Sequence, residues 1–220
     1  MKLTNNLYFY PERGMLDCNT YLIKGNPTII IDPGSPQFLP KLIQSLQQDG
    51  IEPNDIDIIV NTHLHGDHCG ANEAFKQISG AKILSHPLQK QFYDMTVIET
   101  AKFFGFSPIE FTADSSIENN TLDTGNTELK LIPSPGHSPD SICFYSQMDR
   151  ILICGDVIFA GNTGRVDLPG GNANELKNSI EELSQLEINY LLPGHMDIVT
   201  NAEEVKSNFD LIKRNVFQWL

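Results

Sequence analysis

The chain has 220 residues, 40% of them hydrophobic and 20% charged, a globular composition that excludes wholesale disorder. Acidic side chains outnumber basic ones 28 to 15, and the net charge of −13 disfavours nucleic acid or an anionic membrane surface as a partner. No apolar run approaches the roughly 20 residues that span a bilayer, no secretory pattern opens the chain, and the four scattered cysteines (Cys18, Cys69, Cys143, Cys154) form no disulfide framework. A reduced, cytoplasmic protein is expected.

In chain order, short strands are predicted over 7–10, 20–24 and Thr28–Asp32, the last stopped by the turn pair Pro33-Gly34. Leu39, Leu42, Ile43 and Leu46 recur at helical spacing and predict a helix ending near Gly50. Asp57–Val60 reads as a buried strand that delivers the chain to a polar loop, Asn61 to His68. A helix over 70–79 and a strand over 82–85 follow. Residues 86–118 form a less regular helical insertion, and its Phe92, Tyr93, Phe103, Phe104, Phe106 and Phe111 are expected to pack the core. A lid or wall beside a substrate pocket, or a dimer surface, is the alternative use of the same aromatics.

The second half repeats the order. Strands are predicted at 127–132, 141–146 and 151–154, then a loop with four glycines between 161 and 171. Leu176, Ile180 and Leu183 mark a helix, Asn189–Leu192 a strand, and Val205, Phe209, Ile212 and Val216 a last helix within Asn201–Leu220. Each half thus runs strand, strand, helix, strand and closes on a histidine. One domain over 1–220 is expected.

Three of the six histidines fall within six residues, His63, His65 and His68, with Asp67 among them. Imidazoles and a carboxylate so close together in a loop after a strand suit zinc, iron or a related divalent ion. Three more candidates sit in Gly turns: His137 after Pro135-Gly136, Asp156 after Cys154-Gly155, and His195 after Pro193-Gly194. Seven potential ligands exceed one tetrahedral site and suit two adjacent ions sharing a bridge.

The ordered set HxHxDH, GH, GD, GH resembles that of the metallo-β-lactamase-fold superfamily across nearly the whole chain. The resemblance implies an α/β fold, a four-layer αβ/βα sandwich of two mixed β-sheets flanked by helices, with metals at one edge. It implies a first metal position at His63, His65 and His137, a second at Asp67, His68 and His195, and Asp156 as the bridge. Two divalent ions per chain are expected, zinc first, with iron or manganese as alternatives. Asp32, in Ile31-Asp32-Pro33-Gly34, matches a turn common in the family and is expected to act behind the ligands or as a structural cap. His86 matches no ligand position. Cys69 is expected to be a small residue opening a helix rather than a ligand.

Such a pair of ions implies hydrolysis by a metal-bridged hydroxide, with Asp67 both a ligand and the acceptor of the nucleophile's proton. Neither a G-x-S-x-G elbow nor a phosphate-binding Gly loop is present. The stretch Phe159 to Asn172, with Gly164-Arg165-Val166-Asp167, resembles the loop after the bridging aspartate in glyoxalase II-like (hydroxyacylglutathione hydrolase-like) enzymes and in persulfide dioxygenases. Arg165 is expected to pair with Asp167, or to meet a substrate carboxylate. Tyr145, near a ligand loop, is expected to pack in its strand.

A small-molecule ester or thioester is therefore the expected substrate. Full-length glyoxalase II enzymes carry a further glutathione-binding helical domain; only about 25 residues follow His195 here, so no such domain is expected and glutathione itself is in doubt. The alternatives are a mononuclear iron persulfide dioxygenase using His63, His137 and Asp156, a lactonase, a β-lactamase, a ribonuclease Z-type phosphodiesterase, or a scaffold without chemistry. A homodimer would draw on the aromatic insertion and on Phe217-Gln218-Trp219-Leu220.

Overall fold

The computed structural model describes residues 1–220. It contains two six-stranded sheets. The first is built from β1 (Leu7–Tyr10), β2 (Thr20–Ile23), β3 (Ile29–Ile31), β4 (Ile58–Val60), β5 (Lys82–Ser85) and β6 (Ser115–Ser116), paired in that order. The second runs from β7 (Thr121–Asp123) through β8 (Glu128–Pro133), β9 (Ile142–Ser146), β10 (Ile151–Gly155) and β11 (Tyr190–Pro193) to β12 (Val199–Thr200). Both sheets are mixed: β3, β4, β5 and β6 run parallel, as do β10 and β11, while the other neighbours are antiparallel.

Strand alternation explains the layers. Leu7, Phe9, Ile29 and Ile31 point to one face and meet Leu129, Leu131, Phe144, Ile151 and Ile153 of the second sheet. Their neighbours Tyr8, Tyr10 and Ile30 point the other way, onto Leu39, Leu42 and Leu46 of α1 (Leu39–Gln48) and Phe75 of α3 (Asn72–Ser79). The outer face of the second sheet, with Leu152, Cys154 and Tyr145, is covered by Leu176, Ile180 and Leu183 of α6 (Ala173–Leu183) and by Val205, Phe209 and Ile212 of α7 (Ala202–Asn215). A period of two in the strands and of 3.6 in the helices therefore produces helix, sheet, sheet, helix, the expected four-layer sandwich.

The structure differs from expectation at short elements. Asp67 and His68 lie in a one-turn helix, α2 (Gly66–Cys69), rather than in open loop, and the helix expected from residue 70 begins at Asn72. The last helix ends at Asn215, with Val216 as its cap. The insertion carries α4 (Pro87–Gln91), a π-helical segment Asp94–Glu99 and α5 (Thr100–Phe103). Tyr93 and Phe111 pack beside Leu64, Cys69 and Val97, but Phe103, Phe104 and Phe106 remain 45–55% exposed, which corrects the expectation that these rings enter the core. No helix is long and apolar enough to cross a membrane.

Candidate metal centre

Strand direction collects the site at one edge. Because β3 and β4 are parallel, the turn carrying Asp32 and the loop carrying His63 and His65 leave the first sheet on the same side. β1 is antiparallel to β2, and β2 to β3, so the loop after β1, with Glu12, emerges there too. In the second sheet β10 and β11 are parallel, which puts Asp156 and His195 side by side just past their ends. The antiparallel β8–β9 connection brings His137 to the same edge. The two sheets are stitched there by Ile142 N–H donating to Thr62 O at 2.8 Å, Asn19 N–H to Gly194 O at 2.7 Å and the Tyr21 hydroxyl to Pro193 O at 2.7 Å.

All seven residues singled out by the sequence meet in this space. His63 Nε2 and His137 Nε2 stand 3.0 and 2.9 Å from His65 Nδ1. His68 Nε2 is 3.3 Å from Asp156 Oδ1, and His195 Nε2 is 3.3 Å from Asp67 Oδ2 and 3.5 Å from Asp156 Oδ2. Asp156 Oδ2 also reaches to 3.6 Å from His137 Nε2, so this carboxylate lies between the two groups. Three overlapping sets have ligand atoms within 4.8 Å of one another: His63, His65, His137; His63, His68, Asp156; and Asp67, His68, His195.

The groups behind these side chains fix which nitrogens face inward. The Thr62 hydroxyl donates to Asp32 Oδ2 at 2.6 Å, so its oxygen is left to accept from His63 Nδ1 at 3.1 Å. His68 Nδ1 donates to Asp32 Oδ2 at 3.0 Å, His137 Nδ1 to the Arg165 carbonyl at 2.7 Å, and His195 Nδ1 to Glu12 Oε2 at 2.8 Å. Each of these four rings then turns its Nε2 toward the cluster. Asp32 also accepts from Thr62 N–H at 2.8 Å and Asn61 Nδ2 at 3.3 Å, and it occupies a left-handed backbone conformation (φ 54°) that an aspartate adopts at a cost. It touches no inward atom; its position is behind His68.

Electrostatics divides the cluster. Burial, reinforced by neighbouring imidazoles, holds His63 well below the usual histidine value and His65 at about 3; burial lowers His137 as well. These three are neutral near pH 7, with lone pairs to give. Burial opposes protonation of His68 and His195 too, but there the carboxylates prevail: Asp156, Asp32 and Asp67 help raise His68, and Asp156 and Asp67 bring His195 to about 9. Against the effect of burial, His68 and His195 draw Asp67 down to about 2 and Asp156 well below the carboxylate range.

The Nε2 lone pairs of His63 and His137 both converge at about 3 Å on His65 Nδ1, which can donate to only one of them, and a cation among the three would satisfy all. His68 Nε2 and Asp156 Oδ1 are buried without a hydrogen-bond partner, at a cost of about 1–3 kcal/mol each if left so. Five imidazoles and two carboxylates form a donor set suited to divalent transition metals. The residues present fit two such ions.

Close backbone approach completes the cradle. A Cβ at Gly194 would strike Asp156 Oδ1 and lie 2.7 Å from His68 Cε1, and one at Gly164 would strike Asp156 O and lie 2.9 Å from His137 Nδ1. Only glycine allows both loops to pass behind the cluster.

Other candidates have settled roles. Cys69 Sγ donates to Leu64 O at 3.4 Å, away from the cluster, and burial pushes its thiol up. His86 caps α4, accepting from Leu88 N–H, with Asn120 on its far nitrogen. Arg165 pairs in bidentate fashion with Asp167, both bonds at 2.6 Å, and its guanidinium lies 5.9 Å from the centre of the Phe104 ring. The Tyr145 hydroxyl donates to Glu187 O at 3.1 Å. Glu12, Thr62 and Asp140 escaped the sequence reading: Thr62 holds the adjacent His63 ring, whereas Glu12 reaches His195 and Asp140 reaches the Leu64 N–H through contacts made only by the fold.

Comparisons with known proteins agree with this geometry. A probable metallo-hydrolase of Methanocaldococcus jannaschii is 35% identical over 188 residues, covering 82% of this chain and 88% of the relative. The hydroxyacylglutathione hydrolase GloC of Haemophilus influenzae is 30% identical over 185 residues, covering 81% and 84%. Among solved structures, the BLEG-1 B3 metallo-β-lactamase superposes with a TM-score of 0.78 at 27% identity, over 93% of this chain and 99% of that one. A di-iron-bound form of a protein designated TTHA1623 does so with a TM-score of 0.73 at 27% identity, over 93% and 97%. The family model of the metallo-β-lactamase superfamily matches residues 13–195, and the chain belongs to that superfamily.

Proposed function

We propose that this protein is a metal-dependent hydrolase of small thioesters or related esters. His63, His65 and His137 would hold one divalent ion, Asp67, His68 and His195 a second, with Asp156 between them and zinc as the first choice of metal. The observation that carries the reading is the convergence of five inward-facing imidazoles and two ionised carboxylates on one space. Such ions, when bound, supply Lewis acidity: they lower the pKa of a water from 15.7 toward about 7 and neutralise charge developing on an acyl oxygen.

The chain's own groups do the rest. Asp67 is ionised at neutral pH and keeps 26% of its side chain exposed, so it can accept a hydrogen bond from the attacking water and orient it. His195, beside it, is similarly accessible and forms the solvent-facing side of the centre. Arg165, whose carbonyl holds His137 and whose guanidinium pairs with Asp167, lies against the exposed Phe104 ring, which would offer an apolar face to the part of the substrate that does not react. The negative field weighs against RNA as substrate. The likeness to the Haemophilus hydroxyacylglutathione hydrolase over most of both chains supports a thioester in particular.

The test pairs elemental analysis with turnover of S-lactoylglutathione and of simpler acyl thioesters. Two ions per chain, with hydrolysis abolished by chelation and restored by zinc, is the expected result. One iron per chain, with dioxygen uptake on a glutathione persulfide and no thioester turnover, would overturn it in favour of a dioxygenase.

A further inference from the structure

Two kinds of acceptor stand behind the inward-facing rings. His63 and His137 give their Nδ1 protons to neutral groups, the Thr62 hydroxyl and the Arg165 carbonyl, and His65 Nε2 has no partner at all. His68 and His195 give theirs to carboxylates, Asp32 and Glu12. Burial separates one ring from the rest: His63, His65, His68 and His137 are within 5% of complete burial, whereas His195 keeps 22% of its side chain exposed.

The two carboxylates are not equivalent. Asp32 is buried and committed to four partners, Thr62 N–H, the Thr62 hydroxyl, Asn61 Nδ2 and His68 Nδ1, so it serves the fold as much as the ring. Glu12 lies on the rim, 37% exposed. One of its oxygens takes His195 Nδ1 at 2.8 Å and the other takes the Met196 N–H at 3.1 Å. Met196 occupies the left-handed region (φ 66°), so the same carboxylate holds both the ring of His195 and the strained turn that follows it. Apart from Glu12, the ring is steadied by edge contacts with His68 and Phe159, their centroids 5.3 and 5.9 Å away.

We infer that Glu12 is a positioning residue that sets the affinity of the outer metal position, formed by Asp67, His68 and His195, while the inner position at His63, His65 and His137 is independent of it. The inference rests on the dinuclear reading above. A carboxylate behind a ligating imidazole fixes the ring and raises its basicity, and losing one weakens metal binding about 10- to 100-fold. The consequence is unequal loading: the inner ion is enclosed, and the outer ion exchanges with solvent at a rate that Glu12 controls.

The experiment is calorimetric titration of the full metal-free chain with Zn²⁺, for wild type, Glu12→Gln and Glu12→Ala. Wild type is expected to take up two ions. Glu12→Ala should weaken the second about 10- to 100-fold and leave the first within about twofold, the unchanged first constant showing that the fold is intact. Glu12→Gln should fall between, because its amide oxygen can still accept from His195 Nδ1 without the charge. An unchanged second constant in Glu12→Ala, or equal loss of both ions, overturns the role of Glu12. A wild-type chain that takes up no second ion overturns the dinuclear reading itself.

Discussion

Asp140 Oδ2 accepts the backbone N–H of Leu64 at 3.0 Å and so ties the loop of His63 and His65 to the loop of His137. Its other oxygen accepts from the hydroxyls of Thr96, at 3.1 Å, and Ser138, at 2.7 Å. Asp140→Ala leaves three donors without this acceptor and is expected to destabilise the metal-free chain by roughly 2–4 kcal/mol. Urea unfolding measures this, and a change below about 1 kcal/mol would contradict the assigned role.

The same carboxyl predicts a pH dependence. Burial pushes Asp140 up to about 6, against the pull of its donors from Ser138, Thr96 and Leu64. A carboxyl raised above its unfolded value of about 3.9 binds its proton more tightly in the folded state. Its contribution is complete below about pH 4 and is lost as pH rises through 6. Wild type should therefore lose about 2–3 kcal/mol relative to Asp140→Asn, which cannot titrate there, between pH 4 and pH 7. Unfolding both proteins at pH 4, 5.5 and 7 reads the difference; a flat difference would refute the shift.

Gly194→Ala places a methyl against Asp156 Oδ1 and His68 Cε1. The carboxylate between the two metal positions must then move. Thioester hydrolysis is expected to fall on the order of 100-fold, since displacements near 1 Å cost about that much. Metal content should drop in parallel. Full activity at wild-type metal content would show that the cradle tolerates the displacement.

Most of the fold was legible because its elements are long enough to display a period. Leu39, Leu42 and Leu46 announced α1, and the strands predicted at Thr28–Asp32 and 151–154 are found at Ile29–Ile31 and Ile151–Gly155. Ser115–Ser116 and Val199–Thr200 carry only two residues each, too few for alternation to be visible, and they pair only because a neighbouring strand offers an edge. All seven inward-facing residues stood out as a combination of imidazole and carboxylate in Gly turns or beside one another. Glu12 did not, because it meets His195 from a different sheet and has no local pattern around it. The aromatics of the insertion misled for a related reason: side-chain identity reports hydrophobicity, but not which rings a neighbouring element will cover.

Phe104 offers a check on substrate choice. Its ring is exposed beneath Arg165, whose backbone carbonyl holds His137. Phe104→Ala is expected to raise KM several-fold for thioesters with an apolar acyl chain while leaving kcat and metal content unchanged, the pattern of lost uniform binding. Stability should shift by no more than about 0.5 kcal/mol. Steady-state kinetics on a series of acyl lengths provides the measurement, and a KM independent of both the substitution and the chain length would remove the ring from the binding surface.

The side chains that ring the centre come from positions as distant as Glu12 and His195, delivered by strands of two different sheets. During synthesis no stretch of nascent polypeptide can assemble the cluster before β11 has left the ribosome. An ion bound there would clamp the molecule as a whole rather than any one segment of it, so metal should slow global opening, seen as hydrogen exchange in β3, β4, β10 and β11 together.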